Sequence, residues 1–451
     1  MEIREVSLTD MLEAREVRGL RQRELLAKYQ KTLISFTMNI AGPVKNSDLI
    51  LQGYLEGLNL LRMQLGCEDF SILYEEEKRV FTGNEALLVV NAPASTVKRL
   101  TCQVEEMDGL GRLFDMDVLG SDGRKLDRSE VGLSPRKCLI CGGPAAVCAS
   151  RRSHTVQELQ IRTQEVLREY FQRKFADAVA GLATQSLLYE VSATPKPGLV
   201  DRCNSGAHPD MDFYTFLRSA AVLTPWLRDM TLQGIHQANE TPAVAFQALN
   251  YLGKQAEQAM FQAAGGVNTH KGAIFSVGLM CGAAGRLYGQ GMPLDIVRLL
   301  SECAALAGNS QRGAAEKTAG DRFFQVHGIK GIRGEAAAGF PLVRDLGFPL
   351  LKSLLVEGYS PDDAGGIVLL YLMAQAEDTC LISRAGYEQW ELIREQLKQV
   401  LSRDSKPSME LRRALDEEFI RHNWSAGGCA DLLAICWMAL FMEEQNTVKE
   451  T

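Results

Sequence analysis

"VQELQIRTQEVLREYFQRKFADAVAGLATQSLLYEV", residues 156–191, decides how the chain divides. Its apolar residues recur at helical spacing and it carries no strand signal. Upstream, strand and helix signals alternate. "TLISFTMNIAG" (32–42) reads as a strand that breaks at Gly42-Pro43, and Asn46 or Ser47 caps a helix through "LILQGYLEGLNLLRMQL". "FSILYE" and "ALLVVNA" read as strands, and Ser95 or Thr96 starts a short helix between the second of these and "GRLFDMDVLG". That last run is a strand, Asp122-Gly123 is a hairpin turn signal, and "RKLDRSEV" is the expected returning strand. Downstream the pattern is helical: 213–232, 241–264, 270–289, 293–307, 361–376, 384–402, 408–421 and 428–443. Ser360-Pro361-Asp362-Asp363 is a strong helix start, and Gly308-Asn309 a stop. The expected fold is multidomain: an N-terminal α/β (or α+β) domain, residues 1–165, followed by a larger all-α domain, residues 166–451.

The totals fit this. A chain of 451 residues is too long for one ordinary domain. A formal charge of −7 argues against a general nucleic-acid binder, leaving room for a local basic pocket. The start, "MEIREVSLTDMLEAREVRG", is charged from the outset, and no apolar run suggests a secretory signal or a membrane span. The eleven cysteines are scattered, which suits a cytoplasmic protein with reduced thiols.

Asp115 and Asp117 stand two apart in a strand, so both carboxylates point to one face. Such a pair suits Mg²⁺, which takes one or two carboxylates plus phosphate oxygens. Arg112 sits at the edge of that face, within reach of a phosphate. "RKCLICGGPAAVCASRRSH" holds Cys138, Cys141, Cys148 and His154. Zinc is possible in kind, but the short Cys141-to-Cys148 spacing and the lack of a second C-x2-C pair favour reduced, partly buried thiols. Arg151 and Arg152 add a basic spot. Together "SFTMNIAGPVKN", "GRLFDMDV" and "GLSPRKCLICGGPAAVCASRRSH" resemble the apo-citrate lyase phosphoribosyl-dephospho-CoA transferase family (holo-citrate lyase synthase). The resemblance implies a nucleotidyltransferase-like domain that attaches a prosthetic group to a serine of the citrate lyase acyl carrier subunit and expels pyrophosphate. It also implies that Asp115 and Asp117 hold Mg²⁺.

In the second part, "GGVNTHKGAIFSVGLMCGAAGRL" (265–287) pairs an N-cap candidate, Thr269, with a helix of small residues. His270 and Lys271 at that helix N-terminus suit phosphate. "HGIKGIRGEAAAGFP" (327–341) reads as a ligand-gripping loop with Lys330, Arg333 and Glu335, and "WSAGGCADLLA" (424–434) as a turn before a helix carrying Asp431. "ATPKPGLVDRCNSGAHPDMD" (193–212) is an irregular polar segment in which Asp212 can cap the following helix. Asp201, Arg202, His208 and Asp210 have no evident structural duty there.

These four segments, in their order along the chain, resemble the triphosphoribosyl-dephospho-CoA synthase family, whose members join ATP to 3′-dephospho-CoA and release adenine. One departure is Cys380 in "EDTCLISRAG", where relatives are expected to carry Asn. The implied glycosyl transfer needs carboxylates beside an oxocarbenium-like ribose and a positioned acid or base. The candidates are Asp201, His208, Asp210, Asp212 and Glu335. Lys271, Arg202, Arg333 and His270 are the candidates for gripping phosphate. Competing readings are a binding protein for the citrate lyase complex, a nucleoside or ADP-ribosyl hydrolase in the second half, or a chain with one inactive half.

Overall fold

The computed structural model describes residues 4–308 and 319–450. It separates into two compact units, Met1–Gln172 and Arg173–Thr451. The division falls inside one helix, α6 (Val156–Ser192).

The first unit contains α1 (Leu8–Tyr29), β1 (Thr32–Met38), α2 (Asp48–Cys67), β2 (Ile72–Lys78), β3 (Glu85–Val90), α3 (Ala94–Glu106), α4 (Asp108–Gly111), β4 (Phe114–Leu119) and α5 (Ala145–Arg151). The strands form one sheet in the order β2-β3-β1-β4, antiparallel at every pairing, so this unit is α+β rather than α/β. Ile34, Phe36, Leu88, Phe114, Met116 and Val118 share a core with Tyr54, Leu58 and Leu61 of α2 and Leu100 of α3. A Cβ on Gly57 would collide with the rings of Phe114 and Phe36, so that glycine lets α2 lie close to the sheet. Leu33, Leu87 and Val89 pack instead with Leu25 and Leu26 of α1. The expected returning strand after Asp122-Gly123 does not form. One bridge joins Leu119 to Lys125. Then Asp127 and Glu130 make a capping box that turns Arg128–Val131 into a short 3₁₀ helix, taking the amides a strand would have used.

Among the described residues of the second unit every element is helical: α7 (Phe213–His236), α8 (Pro242–Ala263), α9 (Lys271–Gly289), α10 (Ile296–Ala307), α11 (Ala319–His327), α12 (Gly331–Ala337), α13 (Phe348–Val356), α14 (Pro361–Gln375), α15 (Thr379–Ala385), α16 (Tyr387–Arg403), α17 (Met409–Arg421) and α18 (Gly427–Glu450). The expected stop at Gly308 holds for Gly308, which caps α10, while Asn309 lies outside the described residues. Helix α9 is the axis of this unit, with Ala273, Ile274 and every residue from Ser276 to Leu287 buried. Its glycines serve close packing. A Cβ on Gly285 would strike the carbonyl oxygen of Thr231 on α7, and one on Gly282 would strike Leu249 on α8. Two expectations change here. Residues 331–337, read as a gripping loop, form helix α12, anchored by buried Ala336 and by Phe340 beyond it. Thr269 does not cap α9: its hydroxyl donates to Ser219 Oγ at 2.7 Å, and the amide of Lys271 is taken by Asn268 Oδ1 at 3.2 Å.

Among the described residues no single helix is long and apolar enough to cross a membrane. The pair α14 and α15 passes by length and composition, but is bent by 72°, and α14 lies buried in the core of its unit.

Gly285→Ala should lower the urea-unfolding stability of the second unit by about 1–3 kcal/mol through overpacking. Gly253→Ala on α8, where a Cβ meets nothing within 4 Å, should leave it unchanged or raise it by up to about 1 kcal/mol. Equal effects of the two changes would show that close packing of α7 on α9 is not what Gly285 supplies.

Candidate active sites

The polar segment 193–212 is far less open than its composition suggests. Residues 195–201 are buried, and the carboxylate of Asp201 organises them. It accepts from the amides of Cys203 (2.7 Å), Asn204 (3.0 Å) and Lys196 (3.2 Å) and from the hydroxyl of Thr194 (2.7 Å). Asp416 of α17 pins the same segment, accepting from Gly198 N at 2.9 Å and Asn204 Nδ2 at 2.8 Å. Asp201 therefore has a structural duty that its sequence context hid. Arg202 is also spent elsewhere, paired with Asp362 and donating to Ser192 O at 2.8 Å. Asp212 caps α7, and its bonds to the hydroxyl and amide of Thr215 hold its carboxyl below the usual range.

The remaining candidates gather around two cavities that share a wall. The first, about 480 Å³, is lined by apolar Phe246, Leu249, Ile274 and Phe275 and by polar Lys330, Arg333, Glu335 and Asp378. The second, about 600 Å³, is lined by Glu190, Lys196, His208, Asp210, His270 and Arg384. Asn268, Lys271, Gly272, Thr379, Cys380 and Asp431 line both. Lys271 stands 3.2 Å from Glu257. The wall closes because Gly272 has no side chain: a Cβ there would collide with the carboxylate of Asp431.

Electrostatics separate these groups. Asp431 keeps some surface open to the cavities. Yet burial, with the charges of Glu190 and Asp378 added, pushes its carboxyl well above the usual range and outweighs a bond from the amide of Ala273. Burial thus favours the protonated form of Asp431 over the carboxylate. Burial also raises Glu190, against the pull of its buried partner Lys196. Asp378 is raised by burial despite bonds from the amides of Cys380 (2.8 Å), Leu381 (3.0 Å) and Cys429 (2.8 Å). Glu335 is raised by burial, opposed by the amide of Leu342 at 3.2 Å.

Both histidines are neutral. Burial and the charge of Arg384 lower His208. Arg384 only donates, so His208 Nδ1 accepts from it at 3.1 Å and Nε2–H faces Ser425 Oγ at 2.8 Å. Both ring nitrogens are committed. His270 is buried and brought down to about 3 by desolvation, with a smaller push from Lys196. Thr269 donates to Ser219 Oγ, which leaves the Ser219 hydroxyl proton for His270 Nδ1 at 2.7 Å. His270 Nε2 then carries the proton and has no partner in the protein. The expected cationic phosphate grip is thus a neutral N–H donor.

In the first unit Asp115 and Asp117 do share the half-exposed face of β4. Each faces a cation: Arg136 at 3.4 Å from Asp115 and Lys125 at 2.6 Å from Asp117. Arg136 also donates to the carbonyl of Phe114, tying the strand to a separate cavity of about 740 Å³. Arg112, Arg136, Lys137, Arg152 and His154 line that cavity. Burial and the neighbouring charges of Arg136 and Arg128 push Arg112 downward, the mark of a concentrated positive field. Cys138, Cys141 and Cys148, expected to be reduced, partly buried thiols beside a loop, converge with His154, one donor atom of each lying within 4.8 Å of the others.

Residues 6–170 match the family model described as apo-citrate lyase phosphoribosyl-dephospho-CoA transferase (CitX). Residues 176–450 match that of ATP:dephospho-CoA triphosphoribosyl transferase (CitG). Protein CitXG of Haemophilus influenzae is 35% identical over 453 residues, 95% of each chain. The chain belongs to the CitXG family. A second CitXG, from Leuconostoc mesenteroides subsp. cremoris, is 32% identical over 95% of this chain and 96% of its own. A "probable 2-(5''-triphosphoribosyl)-3'-dephosphocoenzyme-A synthase" of Vibrio cholerae is 38% identical over 58% of this chain and 86% of its own. The CitX-matching residues contain the Asp115/Asp117 face and the basic cavity. The CitG-matching residues contain both adjoining cavities. Within the latter, reading the sequence missed Glu190, Lys196 and Asp378, which only the packing of α6, α15 and α18 brings to the cavities.

Because the folded chain holds His270 near 3 and the unfolded chain titrates near about 6.5, acid favours unfolding. The contribution of a neutral His270 is complete above pH about 6.5 and is lost as pH falls toward 3. Histidine NMR, with the resonance assigned from His270→Gln, should show this imidazole neutral at pH 5. A midpoint near 6 would refute the buried Ser219–His270 arrangement.

Proposed function

We propose that this CitXG-family chain makes 2′-(5″-triphosphoribosyl)-3′-dephospho-CoA from ATP and 3′-dephospho-CoA with release of adenine, and then transfers the phosphoribosyl-dephospho-CoA group to a serine of the citrate lyase acyl carrier protein with release of pyrophosphate. The first reaction belongs to the second unit and the second to the first unit. The observation that carries the assignment for the second unit is the pair of adjoining cavities. A reaction that joins two nucleotides needs two binding spaces and a common wall where the bond is exchanged.

Each cavity takes one nucleotide, and the ribose C1 of ATP lies at the shared wall. There the 2′-oxygen of dephospho-CoA bonds to C1 as the C1–N bond to adenine breaks. Asp431, whose carboxyl burial holds well above the usual range, supplies the proton that adenine takes as it leaves. Asp210 is the carboxylate that accepts the proton of the attacking hydroxyl. His270 Nε2–H donates to a substrate oxygen in the second cavity, and Lys271, common to both, holds phosphate at the N-terminus of α9. Lys330 and Arg333 supply further phosphate contacts in the first cavity, and His208 positions Arg384 in the second.

In the first unit the basic cavity of Arg112, Arg136 and Arg152 takes the phosphates of the precursor. Asp115 and Asp117 offer hard carboxylate oxygens on one open face, a donor set that suits Mg²⁺. When bound, such an ion neutralises charge on the phosphate. Arg136, bonded to both the strand and Asp115, orients that face against the cavity.

Asp431→Asn should slow adenine release from ATP and dephospho-CoA by roughly 10²–10⁴-fold, while transfer from supplied precursor to the carrier protein continues. Asp115→Asn should do the reverse, abolishing transfer and leaving adenine release intact. A folded Asp431→Asn enzyme releasing adenine at the parent rate would remove Asp431 from the chemistry. Adenine release without dephospho-CoA would instead support a hydrolase.

A further inference from the structure

We propose that Cys138, Cys141, Cys148 and His154 bind a tetrahedral zinc ion that staples the segment between Gly132 and Thr155. Four protein ligands leave no open position, so the site is structural rather than catalytic.

Three independent observations lead here. One donor atom from each of the four side chains lies within 4.8 Å of the others, and Cys141 Sγ stands 3.5 Å from Cys148 Sγ. The backbone is built around the first sulfur. Cys138 N donates to Gly143 O at 2.5 Å, Gly142 N returns to Cys138 O at 3.2 Å, and Ile140 N points to Cys138 Sγ at 3.5 Å. Gly142 takes the left-handed conformation that closes the turn (φ 71°). This presents Cys138 and Cys141 side by side. Finally, Nε2 of His154 is buried and has no hydrogen-bond partner, which leaves a ring nitrogen without a duty in the protein.

The segment also needs such a tie. Between Gly132 and Thr155 only Cys138 is buried, α5 buries no residue, and Ile140 and Val147 are exposed. A stretch with so little core gains its fixed shape from a cross-link, and zinc binding supplies folding free energy directly. The charge fits as well. Three thiolates and one neutral imidazole around Zn²⁺ leave a net negative centre beside Arg112, Arg136, Lys137 and Arg152. The ion would thereby hold the basic cavity in shape without touching substrate.

The test uses the full chain, purified under reducing conditions without chelator and assayed by elemental analysis. About one zinc per chain is expected, retained in a Cys67→Ser control and lost in Cys141→Ser/Cys148→Ser. Exchange with Co²⁺ should give the visible bands of a tetrahedral thiolate site in the parent alone. Should the double variant fail to fold, the parent answers by itself: a strong chelator should speed tryptic cleavage after Arg151 and Arg152, and added Zn²⁺ should reverse it. A parent chain that purifies without zinc and takes up no Co²⁺ after reduction overturns the proposal. So does a double variant that binds metal as well as the parent, or a chelator without effect on cleavage.

Discussion

The second unit depends on a missing carbon atom. Gly272 in the first turn of α9 has no side chain, and the carboxyl of Asp431 on α18 occupies the space a Cβ would need. That one close approach seats α18 at the N-terminus of α9 and makes the wall common to both cavities. It also encloses Asp431, and that burial pushes its carboxyl well above the usual range. Other glycines on α9 serve a different end, letting α7 and α8 approach its middle. One composition, rich in small residues, thus carries two separate tasks along a single helix: a site at its first turn and a core thereafter.

Local signals survive folding well. Ser47 and Ser360 cap the helices their sequences announce, and the period of two in "FDMDVL" does put Asp115 and Asp117 on one face. These depend on neighbours within four residues. The expected strand at 124–131 failed because Asp127 and Glu130 satisfy each other's amides locally, a competition that apolar alternation does not register. Helix α12 was hidden by Gly331 and Gly334, whose low helix propensity is overridden by the burial of Ala336 and Phe340.

The site was legible in its segments and not in its roles. The 193–212 and 265–287 segments do reach the second cavity, through His208, Asp210, His270 and Lys271. Asp201 and Arg202, from the same stretch, do not line it. Asp201 could have been suspected, because an Asp followed two and three residues on by free amides commonly turns the chain on itself. The Glu190–Lys196 pair, Asp378 and the Asp416 clamp had no such signal. Their partners or their cavity lie on elements far apart in the chain, so only packing reveals them. Cys138, Cys141, Cys148 and His154 were visible from the start, but their spacing along the chain does not report that they converge.

The continuity of α6 has a practical consequence. Val166 and Leu167 belong to the core of the first unit, whereas Val179, Ala180, Ala183 and Leu187 belong to that of the second. All six stand on the same uninterrupted helix. A cut before Leu167 or after Val179 would strip apolar contacts from one half or the other, so the window for preparing the halves as separate proteins is the few turns between them, where both new ends fall inside a helix. By the same logic, a gene fusion joined here leaves no linker to trim: the junction is a turn of helix, with Arg173 and Lys174 exposed.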